Sequence, residues 1–153
     1  MQALVVYFSK FGNTHKVAEV IGAEFRTRGE ARVINLNELA ADDLRGVDLL
    51  VIGTPTHRMN LPEVVRPIFE ELPKRALRGA PVAAFDTSYK MSKCLMPFTA
   101  AKKLVGKLRK LGGKKIIAPE TFFVEDRQGP LYPGELERAK TWAKLVMRRA
   151  GLG

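Results

Sequence analysis

The chain has 153 residues, 46% of them hydrophobic and 27% charged, enough for one sizeable buried core; a single domain spanning residues 1–153 is expected. No apolar run approaches the roughly 20 residues that cross a bilayer, residues 1–8 hold neither a basic leader nor a cleavage site, and the lone Cys94 excludes an internal disulfide or a paired-thiolate zinc site, so a cytoplasmic protein without a transmembrane segment or metal centre is expected. The formal charge of +10 lies in the second half: residues 1–89 are balanced, whereas residues 90–119 contain no carboxylate.

Along the chain, short apolar runs alternate with segments of helical period, the pattern of βαβ units around a parallel sheet with helices on both faces. Residues 3–8 (ALVVYF) predict the first strand, and Val17, Ile21 and Phe25 place the stripe of a first helix after it. Residues 32–36 (RVINL) predict a second strand, and residues 38–44 a short helix or a loop. Residues 49–52 (LLVI), closed by Gly53, form a third strand, which with the first should be innermost. Val64, Val65, Ile68, Phe69 and Leu72 mark a third helical segment, with Pro67 setting a late start or a kink. Residues 81–85 (PVAAF) give a fourth strand, and Ala101, Leu104, Val105, Leu108 and Leu111 a fourth helix stopped by Gly112-Gly113. Residues 116–124 (IIAPETFFV) predict a fifth strand, broken by Pro119 and therefore at an edge. A last helix opens at Pro133 and carries Leu136, Ala139, Trp142 and Val146.

The strongest local signal follows the first strand. Ser9, Lys10, Phe11, Gly12, Asn13 and Thr14 lead straight into the first helix, whose leading amides and dipole offer a cradle for a phosphate monoester. The hydroxyls of Ser9 and Thr14, the Asn13 amide and the Lys10 charge can add to it, and Gly12 permits a tight turn. Neither the G-x-x-x-x-G-K signature of nucleoside triphosphate loops nor G-x-G-x-x-G of dinucleotide folds is present. Phosphorylation receivers share this architecture, but they need an aspartate where the third strand here ends in Gly53.

These residues resemble the first loop of the flavodoxin family, in which hydroxyl residues at three positions and a glycine wrap the phosphate of flavin mononucleotide (FMN). Ser9, Gly12 and Thr14 match three of the four; Phe11 stands where a hydroxyl is usual. Gly53-Thr54-Pro55-Thr56 and Asp86-Thr87-Ser88-Tyr89 also look like flavodoxin-type loops, so the resemblance runs over essentially the whole chain. It implies a three-layer sandwich with a five-stranded parallel sheet of order 2-1-3-4-5 and a ligand crevice between strands one and three. It further implies non-covalently bound FMN, with Thr54, Pro55, Thr56, His57 and Arg58 along one side of the ring and Asp86, Thr87, Ser88 and Tyr89 along the other, Tyr89 stacking. Met91, Cys94 and Met96 would border it as packing residues.

Two departures bear on function. Residues 54–60 contain no glycine, the residue that in many flavodoxins lets a peptide flip beside the ring, and Asn60 is the one residue there that readily adopts a left-handed backbone. The same loop has no tryptophan and offers His57, Arg58 and Met59, which leaves a ring face for a basic or thioether side chain or for a substrate, with His57 a candidate proton donor. The resemblance therefore implies a redox protein passing electrons to or from a protein partner. The alternatives are an NAD(P)H-dependent FMN or quinone reductase acting on a small molecule, and a flavin-free interaction module using the basic fourth helix. Nine basic residues between Lys90 and Lys115 point to an acidic partner; without interleaved aromatics, nucleic acid is disfavoured. The oligomeric state is left open.

Overall fold

A computed structural model describes residues 1–90, 94 and 99–153. Five parallel strands follow the order β2-β1-β3-β4-β5: β1 is Gln2–Tyr7, β2 Glu30–Asn35, β3 Leu49–Pro55, β4 Pro81–Tyr89 and β5 Lys114–Lys115. A further strand, β6 (Glu120–Val124), pairs in parallel with the second half of β4 while β5 pairs with its start, so the two share one edge of β4. Of the expected fifth strand over 116–124 only residues 120–124 are strand, as β6; β5 lies before that range, and Pro119 falls in the break between the two. Proline has no N–H to give a ladder and is accommodated where the pairing lapses.

Burial explains the strand sequences. β1 and β3 each have a strand on either side and helices above and below, and Val5, Val6, Leu49 and Val51 are completely buried. β2 lies at the outer edge and is only half-buried, which matches its mixed composition.

Two helices cover each face. On one, α1 (Asn13–Arg26) and α4 (Glu135–Arg149) pack Val17, Ile21, Phe25, Ala139, Trp142 and Val146 against alternate residues of β1, β3 and β4. On the other, α2 (Val65–Glu71) and α3 (Ala100–Lys110) bring Val65, Phe69, Leu104 and Leu108 onto Leu50, Ile52, Val82 and Ala84. Pro67 falls in the first turn of α2, where a missing N–H breaks no intrahelical bond. Residues 38–44 form no α-helix; two 3-10 turns, Leu36–Glu38 and Ala41–Leu44, fill that stretch, and the second tucks Leu44 into the core. The predicted fourth helix is therefore α3. Leu136, expected on the buried stripe of the last helix, is instead 38% exposed, because the inward arc of α4 runs through Ala139, Ala143 and Val146. Met91 and Met96 lie outside the described residues; Cys94 is exposed.

Candidate functional site: a crevice at the carboxyl ends of β1, β3 and β4

Chains leaving β1 and β3 turn to opposite faces of the sheet, and the crevice between them is where ligands of such folds sit. Backbone bonds extend the ladder past the strands: Phe8 N–H donates to the Gly53 carbonyl (3.0 Å) and Thr56 N–H to the Thr87 carbonyl (2.9 Å), fixing three loops side by side. They enclose a cavity of about 350 Å3, within the range of small-molecule sites.

The phosphate-loop residues form one end of it. Gly12 takes φ 94°, a left-handed backbone in which a Cβ would be strained, and α1 begins immediately after it. The Ser9 hydroxyl accepts the Gly12 N–H at 3.0 Å, and the first intrahelical bond runs from Lys16 N–H to the Gly12 carbonyl. The amide hydrogens of Asn13, Thr14 and His15 have no carbonyl within the helix to bond. Ser9, Lys10, Phe11, Asn13 and Thr14 all line the cavity. Phe11 is 41% exposed with Lys10 over its ring, so its benzyl group does not fill the cavity. Thr14 is buried, and its hydroxyl pairs with that of Thr87 at 2.7 Å, which joins the first helix to the end of β4.

Pro55, Thr56, His57 and Arg58 form a second wall and Thr87, Ser88 and Tyr89 a third, with Tyr89 45% exposed at the rim. His57 and Asn60 exchange both backbone hydrogen bonds (2.8 and 2.9 Å), closing a two-residue turn. Its central residues, Arg58 (φ 48°) and Met59 (φ 61°), are left-handed, not Asn60. Both central positions of such a turn require positive φ, and the sequence register puts them one step before the asparagine.

Thr54 and Asp86 lie beneath the cavity instead of lining it, because both are completely buried cross-strand neighbours under the start of α3. One Asp86 oxygen, Oδ2, accepts from the Thr56 hydroxyl (3.0 Å) and from the Ala101 N–H (2.9 Å), and Thr56 in turn accepts the Ala100 N–H (3.0 Å). Asp86 thereby caps α3 from outside the helix and fixes Thr56 in the wall. Among the described residues its Oδ1 and the Thr54 hydroxyl have no partner of hydrogen-bonding geometry. Burial pushes the Asp86 carboxyl above the usual carboxylate range, opposed by the nearby Thr121 hydroxyl, the Ala101 amide, and the Thr99 and Thr56 hydroxyls.

Two lining residues, Val124 and Arg127, come from the end of β6 and the loop after it, which sequence reading passed over. The signal was available: that loop also leaves a strand at its carboxyl end. The Asn13 side-chain amide donates to the Gln128 carbonyl at 3.1 Å, which holds this loop against the start of α1. Gly129 suits that position, since its φ of 102° strains any side chain and a Cβ would lie 2.6 Å from the Asn13 amide oxygen and displace the amide that makes this bond.

A family model described as a flavodoxin domain matches residues 4–117, well over half of the chain. The chain belongs to the flavodoxin domain family. A curated flavodoxin of Clostridium saccharobutylicum is 29% identical over 90 residues; the match covers 58% of this chain and 56% of that protein, little more than half its length. Among solved structures, a flavodoxin from the domain Archaea superposes with a TM-score of 0.78 at 20% identity, covering 99% of both chains. A short-chain flavodoxin associated with a bacterial microcompartment gives 0.78 at 18% identity over 98% of this chain and 99% of its own. The rubredoxin oxygen:oxidoreductase of Desulfovibrio gigas matches over 98% of this chain but 36% of its own, with a TM-score of 0.73 at 18% identity. These structural likenesses show the fold. Flavodoxin family proteins bind FMN.

The cavity's donor set fits that group. Its phosphate end presents amide hydrogens and a serine hydroxyl, and among the described residues no carboxylate lines the cavity, while Lys10, Arg58 and Arg127 do. No helix is long and apolar enough to cross a membrane, and no cluster of potential metal ligands occurs, among the described residues.

Proposed function

We propose that this chain is an FMN-binding redox protein that exchanges electrons with an acidic protein partner. The observation that carries the reading is the convergence of residues 9–14, 55–58 and 87–89 on one cavity whose phosphate end is built from unbonded helix amides.

Bound FMN supplies a group that takes up and returns electrons at a planar ring. In this reading the amides of Asn13, Thr14 and His15 and the Ser9 hydroxyl hold the phosphate, Gly12 lets the backbone close around it, and Lys10 and Arg127 add positive charge. With Phe11 in place of a hydroxyl residue, one side-chain hydrogen bond is forgone and the backbone carries more of the binding. Pro55, Thr56 and Arg58 orient one side of the ring, Ser88 and Tyr89 the other, and His57 stands where it can donate a proton to a reduced ring or a substrate. The Thr14–Thr87 pair and Asp86 are positioning groups: they hold the three loops at fixed separation, so little ordering cost falls on binding. The basic second half of the chain suits an acidic partner, inverting the usual charge of such carriers.

A second reading, an NAD(P)H-dependent FMN or quinone reductase, draws support from the exposed Arg58 and Arg127 at the cavity mouth, which suit the phosphates of a hydride donor. One experiment addresses both. FMN is titrated into apoprotein by flavin fluorescence quenching, and the loaded protein is then mixed with NADPH, with and without a quinone. Saturable quenching with a stable spectrum under NADPH alone supports the carrier. Bleaching by NADPH alone favours the reductase, and FMN binding no tighter than about millimolar refutes both and leaves a flavin-free interaction module.

A further inference from the structure

Scattered lysines on a helix are ordinary solvated surface, but three features coincide on one side of α3. First, α3 and residues 60–66 leave between them a groove of about 600 Å3. Leu61 and Pro62 form an apolar wall, and Arg66, Lys103, Lys107 and Lys110 line it against the single carboxylate of Glu63. Arg66 is held by Glu70 at 2.8 Å; Lys107 and Lys110 form no ion pair among the described residues. Second, Gly106 sits in the middle of α3 and in this groove, where a Cβ would meet nothing within 4 Å. Glycine inside a helix is destabilising relative to alanine, and among the described residues no packing contact requires it. Third, Lys103 Nζ donates to the Met59 carbonyl (3.2 Å) and to Asn60 Oδ1 (2.8 Å). That turn also carries Arg58 at the cavity mouth, so the groove and the cavity lie on two sides of one four-residue turn.

We propose that this groove docks an acidic, partly aliphatic segment of a partner protein, seated closely over Gly106 with its carboxylates on Lys103, Lys107 and Lys110. The inference rests on the redox reading above for the reason a partner binds beside the cavity. Charge complementarity selects an acidic occupant, and the Leu61–Pro62 wall suits an aliphatic side chain. Nucleic acid fits less well, since no aromatic side chain lines the groove among the described residues to stack a base.

The test uses the full chain, with and without FMN, and a short fluorescein-labelled peptide of alternating glutamate and alanine with one central leucine, read by anisotropy. Saturable binding that falls roughly tenfold or more in the Lys107→Glu/Lys110→Glu variant is expected, with further loss in high salt. Gly106→Leu, which fills the groove without altering charge, should weaken the peptide several-fold, whereas Gly106→Ala should raise the melting temperature and show that α3 accepts a side chain there. FMN titrations of all three variants should match the parent. No peptide binding, or binding indifferent to Gly106→Leu, overturns the proposal. So does tighter binding of a single-stranded oligonucleotide or of phosphatidylserine vesicles than of the peptide. Groove-dependent peptide binding in a chain that fails to bind FMN would sink the redox reading alone, and FMN binding without peptide binding would sink the docking site alone.

Discussion

Gly53 is the point where the core most tightly limits the sequence beside the cavity. It lies on β3 against the tip of the Phe85 ring, and a Cβ built there would lie 2.0 Å from Cζ and 2.3 and 2.4 Å from the two Cε atoms, far inside van der Waals contact. Phe85 has nowhere to go: it is fully buried, with edge-on contacts to Phe122 (centroids 5.8 Å apart) and Trp142 (6.2 Å), which themselves meet at 6.1 Å. Overpacking a core typically costs about 1–3 kcal/mol, and a clash with a ring tip held by two further rings belongs at the upper end, so Gly53→Ala should lose about 3 kcal/mol. At roughly 2–4 °C per kcal/mol for a chain of this size, the melting temperature should fall by roughly 6–12 °C. Urea denaturation of Gly53→Ala, Phe85→Leu and the double variant is the decisive assay. Phe85→Leu leaves a cavity of its own but makes room for the new methyl, so the double variant should be at least about 1 kcal/mol more stable than the two single losses predict. A Gly53→Ala loss below about 0.5 kcal/mol, the scale of an ordinary surface change, or strict additivity, would show that this packing argument is wrong.

The double substitution Arg58→Asn/Met59→Gly should stabilise the protein by about 1 kcal/mol, because both residues occupy a left-handed backbone that asparagine and glycine adopt at lower cost; an unchanged or lower urea midpoint would contradict this. For Asp86, whose carboxyl is raised by burial, the folded state holds the proton more tightly than the unfolded chain, so the stability it confers is full below the ordinary aspartate range and is lost as pH climbs through the raised value. Asp86→Asn, neutral at every pH, should lack that decline: the stability of the parent relative to this variant should fall as pH rises above the ordinary aspartate range and through the raised value, and a flat or rising difference would count against the buried, high-affinity proton.

Periodicity and apolar runs made the sheet and four of its helices legible, because β1 and β3 are covered on both faces and Val17, Ile21 and Phe25 repeat at helical spacing. What escaped was set by tertiary context. Residues 36–44 carry weak helical signals and settle into two 3-10 turns, because their task is to place Leu36 and Leu44 over the sheet. The lapse of pairing around Pro119 was signalled by the proline; where the ladder would resume was not. At the cavity, the turn after β1 could be read locally since its function rests on backbone amides. Arg127 could not, as its place there depends on Asn13 reaching a carbonyl far along the chain. Thr54 and Asp86 showed the converse limit: both are polar residues next to a binding loop that are turned inward, and Asp86 holds α3.

The Asn13–Gln128 bond joins positions 115 residues apart. A nascent chain therefore completes its first helix early but leaves that helix's opening turn without the loop that later packs on it. Contacts of such long range form late, after the loop-closure entropy has been overcome. Ligand capture during synthesis should accordingly lag behind the appearance of helical structure, and a fragment ending before residue 126 should fold its first βα unit poorly supported and hold a phosphate weakly, however complete residues 9–14 are.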